Sequence, residues 1–219
     1  MKSKYLEDPW EHPEWYDLHD RAWTAGSDRE PEHYQEFVIS LPPLDRDDHL
    51  IDVGAGTGKL ALLIAKGYPK LGRITLLDPN EQKLEHALEK FSKKSYEIKI
   101  NKKVAVIGEG MDLPEGDATI VSAGSVLMPT MIYGGGNLRR KLEWLRESFK
   151  DIFSMLKSGG WIFDLETLAA PWEKGGLDDP VRRLHLVEFL PEFRYAGFQD
   201  IECMYRFRDR VIIRARKPE

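Results

Sequence analysis

The strongest constraint on the fold is the stretch Leu50-Ile-Asp-Val-Gly-Ala-Gly-Thr-Gly58. Leu50–Val53 is an aliphatic run of strand length. Gly54, Gly56 and Gly58 follow at alternate positions, and Leu60–Lys66 then reads as an aliphatic helix. A strand that breaks into glycines and re-enters a helix leaves bare backbone at the carboxyl edge of a sheet. Glycine permits positive φ and lets a ligand approach the main chain, and open α/β sheets bind their ligands in such crevices.

Three ligand classes compete for this loop. A phosphate-binding P-loop needs a glycine four residues before Gly-Lys and a Ser or Thr after it. Here Gly58-Lys59 precedes Leu60, and Val53 holds the position of the first glycine. The dinucleotide fingerprint G-x-G-x-x-G fails at its third glycine, where Lys59 stands. An acidic residue followed by x-G-x-G-x-G is the pattern that fits, from Asp52 to Gly58. Asp78 ends a second apolar run, Arg73–Asp78, about twenty residues on, where a carboxylate grips ribose hydroxyls in nucleoside-binding sheets. A carboxylate accepts both hydroxyl protons through charge-assisted hydrogen bonds. The competing reading of Asp78 is a cap for the helix that begins near Asn80, and that of Gly54 and Gly56 is a plain tight turn.

Strands and helices alternate along the rest of the chain. Leu84, Ala87, Leu88 and Phe91 fall on one helical face, and Val104–Ile107 and Ala118–Val121 are short apolar runs. Leu138, Leu142, Leu145, Phe149, Ile152 and Leu156 stripe a long helix. The expected stop is Ser158-Gly159-Gly160, with a left-handed glycine cap, and Trp161–Leu165 is a fifth strand. Glu188–Ala196 reads as a helix. Only Arg208-Asp209-Arg210 then separates Ile201–Phe207 from Val211–Arg216, a link short enough for an antiparallel hairpin and too short for a parallel crossover. The expected fold class is α/β: a Rossmann-like, mainly parallel seven-stranded sheet with an antiparallel C-terminal strand and helices on both faces.

Several runs resemble the class I S-adenosylmethionine-dependent methyltransferases. Leu50–Gly58 resembles their first motif, Leu76-Leu-Asp-Pro79 their second-strand acidic motif, and Ile107-Gly-Glu-Gly-Met-Asp-Leu-Pro114 their third, G-D-A-x-x-L-P. Asp117–Ser122 is similar to the fourth strand, Leu156–Phe163 to the L-K-P-G-G approach to the fifth, and Leu190–Phe198 with its hairpin to the family's ending. The resemblance spans about residues 45–216 in the family's order. It implies a methyltransferase fold, with S-adenosylmethionine as cofactor and S-adenosylhomocysteine as product. By the same resemblance Asp52, Gly54, Ala55 and Gly56 would hold the methionine moiety, Asp78 the ribose, and Pro79 the adenine face. Glu109, where the family often has Asp, would meet the adenine amine. Gly110 and Met111 would offer backbone contacts to the ring, and Ser122 and Ala123 would lie beside the methionine amino group.

The acceptor side is less defined. Methyl transfer needs alignment and exclusion of water more than a nucleophilic side chain. A base is needed only for an acceptor that arrives protonated with a high pKa. Residues 1–44 are expected to form an aromatic-rich helical cap or lid, with 45–219 as the cofactor-binding domain. Within the cap, Tyr16 and His19 lie three apart, on one helical face. His19 is the candidate base and Tyr16 a candidate catalytic and pocket residue; a surface or structurally bonded histidine is the alternative. Tyr133, Asp164, Glu166 and Trp172 are candidate substrate contacts. Asp164 and Glu166 point alike on a period-two strand, where one could meet an amine; solvated loop carboxylates are the competing reading.

Composition bounds the partners. The net charge of −5 argues against a phosphate backbone as main partner, and no N/D-P-P-Y/F run follows the fourth strand. Cys203 is the one cysteine, so neither a disulfide framework nor a cysteine metal site is expected, and no metal is assigned. The start of the chain lacks the apolar core of a signal peptide and no run is long enough to span a bilayer. The expectation is a cytoplasmic monomer or homodimer acting on a small molecule at nitrogen or oxygen, without membrane or nucleic-acid partners. The alternatives are a methyltransferase of protein or nucleic acid, an aminopropyl transferase on a related sheet, and a non-catalytic partner that retains cofactor binding.

Overall fold

The computed structural model describes residues 32–109, 113–114, 116–128, 138–169 and 183–219. In chain order these form α1 (Glu32–Ser40), β1 (His49–Val53), α2 (Lys59–Gly67), β2 (Arg73–Asp78), α3 (Glu81–Ser92), β3 (Lys99–Val104) and β4 (Ala118–Gly124). There follow α4 (Leu138–Met155), β5 (Leu156–Thr167), α5 (Leu186–Tyr195), β6 (Gln199–Phe207) and β7 (Arg210–Arg216). The seven strands make one sheet in the order β3-β2-β1-β4-β5-β7-β6. Pairings from β3 through β5 are parallel, and β7 runs antiparallel to both β5 and β6. The expected sheet, with its antiparallel final strand, is the one observed.

Both faces of the sheet are covered, which is why its central strands read as unbroken apolar runs. On one face Ile51, Val121, Ile162 and Ile213 pack under Leu145, Phe149 and Ile152 of α4 and Phe189 and Phe193 of α5. On the other, Leu50, Ile74, Leu76, Ile120 and Phe163 meet Phe37 of α1, Ile64 of α2 and Leu84 and Phe91 of α3. Phe37 meets Phe163 edge to face at 6.3 Å. The helix α1, which falls within the segment expected as a cap, is thus seated in the core. No helix among the described residues is long and apolar enough to cross a membrane.

Three element boundaries differ from expectation. The third strand is the lysine-rich Lys99–Val104, not Val104–Ile107. As the sheet's edge it needs charge more than apolar surface, because lysines deter edge-to-edge pairing; Ala105 and Ile107 turn inward beyond it, onto the α4 face. The helix α4 ends at Met155, and Leu156 already pairs with Ala118 across a bulge that precedes Trp161. Its terminal carbonyls are met not by a glycine cap but by the Lys217 ammonium, 2.9 Å from the Phe153 oxygen and 2.7 Å from that of Leu156. Gly159 does take a positive φ of 74°, within the bulge. The helix α3 is capped by Asn80, whose side chain accepts from the Lys83 N–H at 3.0 Å, which leaves Asp78 for other work.

Candidate functional site

Strand order reverses at β1, which has β2 on one side and β4 on the other, so the loop after β1 opens into the crevice where such sheets bind ligands. Gly54, Gly56 and Gly58 all adopt positive φ, at 64°, 51° and 77°. At Gly54 the requirement is double, because an added Cβ would stand 2.3 Å from Cγ2 of Val126.

Asp78 meets this loop directly. Its Oδ2 accepts from the Gly56 N–H at 2.9 Å and its Oδ1 from the Asn80 N–H at 2.8 Å. The carboxylate is buried, and each oxygen keeps a second lone pair.

Asp52 lies on the neighbouring parallel strand, β1. Parallel register sets it beside Ser122, and Val53 beside Ala123. The Ser122 hydroxyl donates to Asp52 Oδ1 at 2.7 Å, while Oδ2, wholly buried, has no hydrogen-bond partner among the described residues. Burial pushes the Asp52 carboxyl up to about 7, tempered by the Ser122 hydroxyl and by the nearby Ala61 N–H. A buried carboxylate oxygen without a donor is costly, and such an atom is either protonated or waiting for a ligand's N–H. Asp52 lines a small cleft with Tyr34, Gly54, Ala55, Lys59, Leu60 and Gly124.

Tyr34 and Lys59 were not anticipated as site residues. The Lys59 ammonium stands 4.7 Å from the centre of the Tyr34 ring, within cation–π range. Lys59 opens α2 directly after the last loop glycine, which is the signal that could have found it. Tyr34 needed knowledge of where α1 packs.

The adenine-side positions are less enclosed. Pro79 is exposed beside Asp78, and Glu109 is exposed at the end of a short turn after β3. That turn is pinned by the Gly108 N–H, which donates to Asp151 of α4 at 2.6 Å. Gly110, Met111, Tyr16, His19, Tyr133 and Trp172 lie outside the described residues.

Asp164 and Glu166 are fully buried, which overturns the reading of solvated loop carboxylates. In register with Ala123 and Ile213, Asp164 sits on the α4 and α5 face, away from the cleft. Burial and the neighbouring charge of Glu166 hold the Asp164 carboxyl far above its ordinary range. Burial raises Glu166 too, against backbone N–H donors that favour its anion. Its Oε1 accepts from Val126 at 3.0 Å and Leu127 at 2.7 Å.

A sheet of this order, with a left-handed glycine loop on β1 and a loop-facing carboxylate on β2, defines a protein of the Rossmann-like methyltransferase fold. The sequence pattern of the ubiE/COQ5 methyltransferase family matches residues 27–180, and the chain belongs to that family. It is 30% identical over 151 residues to the ubiquinone/menaquinone biosynthesis C-methyltransferase UbiE of Geotalea daltonii, covering 69% of this chain and 57% of that protein. The chain spans about half the length of the curated relatives it matches. Among solved structures, the S-adenosylmethionine-dependent methyltransferase SibL superposes with a TM-score of 0.69 at 18% identity, over 94% of this chain and 59% of that one. A Haemonchus contortus phosphoethanolamine N-methyltransferase bound to S-adenosylhomocysteine gives 0.69 at 14%, over 93% and 57%. At these identities the superpositions speak for the fold.

Proposed function

We propose that the chain transfers a methyl group from S-adenosylmethionine to a small-molecule acceptor. The observation that carries this reading is the buried Oδ2 of Asp52, unpaired among the described residues, on the wall of the cleft beside the glycine loop. An orphaned acceptor next to exposed backbone suits an ammonium group, and the methionine moiety bears one. Lys59, on the same cleft, suits the carboxylate of that moiety. Asp78, held against the loop, suits the ribose hydroxyls, with Pro79 against the adenine. Ser122 orients Asp52 by its hydrogen bond, and the backbone of Gly54–Gly56 offers close approach with no side chain in the way. Glu109 completes the set on the adenine side, with Gly110 and Met111 following it in sequence.

The cofactor supplies the methyl group on a sulfonium leaving group. The residues named here bind and orient it. The chain's remaining task is to align the acceptor and keep water out, which accounts for much of the rate in displacements of this kind. For an acceptor that needs deprotonation, His19 is the proposed base, with Tyr16, Tyr133 and Trp172 as acceptor contacts in the cap and rim.

Nitrogen and oxygen acceptors were the expectation from the sequence. The curated relatives named as C-methyltransferases of quinone biosynthesis favour carbon, which must be made nucleophilic by a neighbouring ionised oxygen. A labelled-methyl assay with phenol, amine and quinol acceptors, with the product's methyl located by NMR, tests this. Methyl incorporation into one class supports the proposal and fixes the atom. Tight cofactor binding with no transfer to any acceptor would favour instead the non-catalytic, cofactor-binding reading.

A further inference from the structure

The two buried carboxylates on β5 play no part in holding the donor, yet one of them reaches the loop that does. Glu166 directs Oε1 at the successive N–H groups of Val126 and Leu127, just beyond the end of β4. The turn it holds is strained: Ser125 has a φ of 54°, a left-handed conformation that a side-chain-bearing residue adopts only at a cost. Such a conformation persists where its surroundings over-determine it, and here β5 and β7 supply the grip. The Ser125 N–H donates to the Leu165 carbonyl at 2.7 Å, and the Arg210 guanidinium reaches Ser125 Oγ at 3.4 Å and also bonds Thr167. The product of this grip is the place of Val126. Its side chain lies over Gly54, so close that even a methyl group on that glycine would collide with it.

We propose that Glu166 is a positioning residue, fixing the strained turn 125–127 so that Val126 presses on Gly54 and holds the glycine loop in its ligand-accepting shape. Asp164 completes the device. Both its oxygens lack a hydrogen-bond partner among the described residues, whereas the N–H groups of Val126 and Leu127 point at Glu166 and favour the anion there rather than on Asp164. The path Glu166–Val126–Gly54 joins strand β5 to the first βα loop across β4, with every link a direct contact. The functional consequence rests on the reading of that loop as an S-adenosylmethionine site.

The test combines calorimetry with S-adenosylhomocysteine and amide hydrogen exchange on wild type, Glu166→Gln, Glu166→Ala and Val126→Ala. Glutamine keeps an acceptor oxygen for both N–H groups; alanine leaves two donors without one. Glu166→Ala should weaken binding about tenfold or more and speed exchange at Val126, Leu127 and Gly54–Gly56. Glu166→Gln should stay within about threefold of wild type. Val126→Ala should loosen Gly54–Gly56 while the Leu127 amide stays protected. Wild-type affinity in both alanine variants, or unchanged exchange at Gly54–Gly56 when the turn is freed, overturns the proposal. Should Glu166→Ala not fold, Val126→Ala and the glutamine rescue decide alone. Absence of any wild-type binding at millimolar ligand would sink the donor-site reading, while exchange at Gly54–Gly56 would still report whether Glu166 holds the loop.

Discussion

The two ends of strand β1 each bury a polar side chain, and the two are in opposite condition. At the amino end His49 is fully engaged: Nδ1 bonds Asp117 at 2.8 Å and Nε2 bonds Thr75 Oγ1 at 2.8 Å. Asp117 is in turn met by the Arg73 guanidinium at 2.5 Å. At the carboxyl end Asp52 bonds Ser122 through one oxygen and, among the described residues, nothing through the other. Strands β1 and β2, with Asp117 just before β4, thus close one polar cluster on itself, while β1 and β4 leave the other open. A buried cluster that satisfies its own members stabilises the fold, whereas an unsatisfied buried acceptor calls for an explanation. A ligand at the carboxyl end is the explanation proposed above, and it agrees with the edge at which parallel sheets bind ligands.

The contrast can be broken at either end. The largest effect is expected for Gly54→Ala, which adds a methyl group where Val126 already stands and strains a φ of 64°. A loss of about 3 kcal/mol in stability, with loss of cofactor binding, should be seen in denaturant titration and calorimetry. His49→Leu should cost less, about 2 kcal/mol, for the acceptors and donors it strands, and should leave cofactor affinity unchanged. A His49→Leu protein that folds but binds cofactor poorly would undo the division between a structural end and a functional one.

The smallest effect is in pH dependence, and its sign differs between the ends. Asp52 is raised from 3.8 to about 7 by burial. The folded state therefore holds a proton that the unfolded state releases, and the resulting stabilisation is lost as pH rises through about 7. His49 is lowered from 6.5, chiefly by burial, so its contribution is present above 6.5 and is lost as pH falls below that value. Asp52→Asn should flatten the loss of stability between pH 6 and 7 by about 1 kcal/mol, read from urea midpoints, while His49→Leu should flatten the acid limb instead.

How much of this was legible in the sequence follows from how local each feature is. The glycine loop and Asp78 could be read because a strand, a turn and the next strand's end are contiguous, and their chemistry is carried by residue type. The Asp52–Ser122 bond spans β1 and β4 and needed the register, though the residues themselves were singled out. Strand β3 was misplaced because edge strands do not look apolar, and the end of α4 because a glycine pair resembles a cap when it is a bulge. Burial of Asp164 and Glu166 was invisible, since in a sheet covered on both faces strand alternation no longer marks which side is wet. Tyr34 joined the cleft only because Phe37 anchors α1 against Phe163, a contact between segments far apart in the chain.

The most direct measurement of the central claim is calorimetric titration of the intact chain with S-adenosylmethionine, alongside Asp78→Ala. Asp78 ties the loop through Gly56 and is the residue proposed to take the ribose, so the account predicts a saturable one-to-one isotherm for wild type. Asp78→Ala should weaken it about a hundredfold, the loss of roughly two charge-assisted hydrogen bonds. Absence of binding by wild type at millimolar cofactor, or an Asp78→Ala protein that binds as well as wild type, would contradict it.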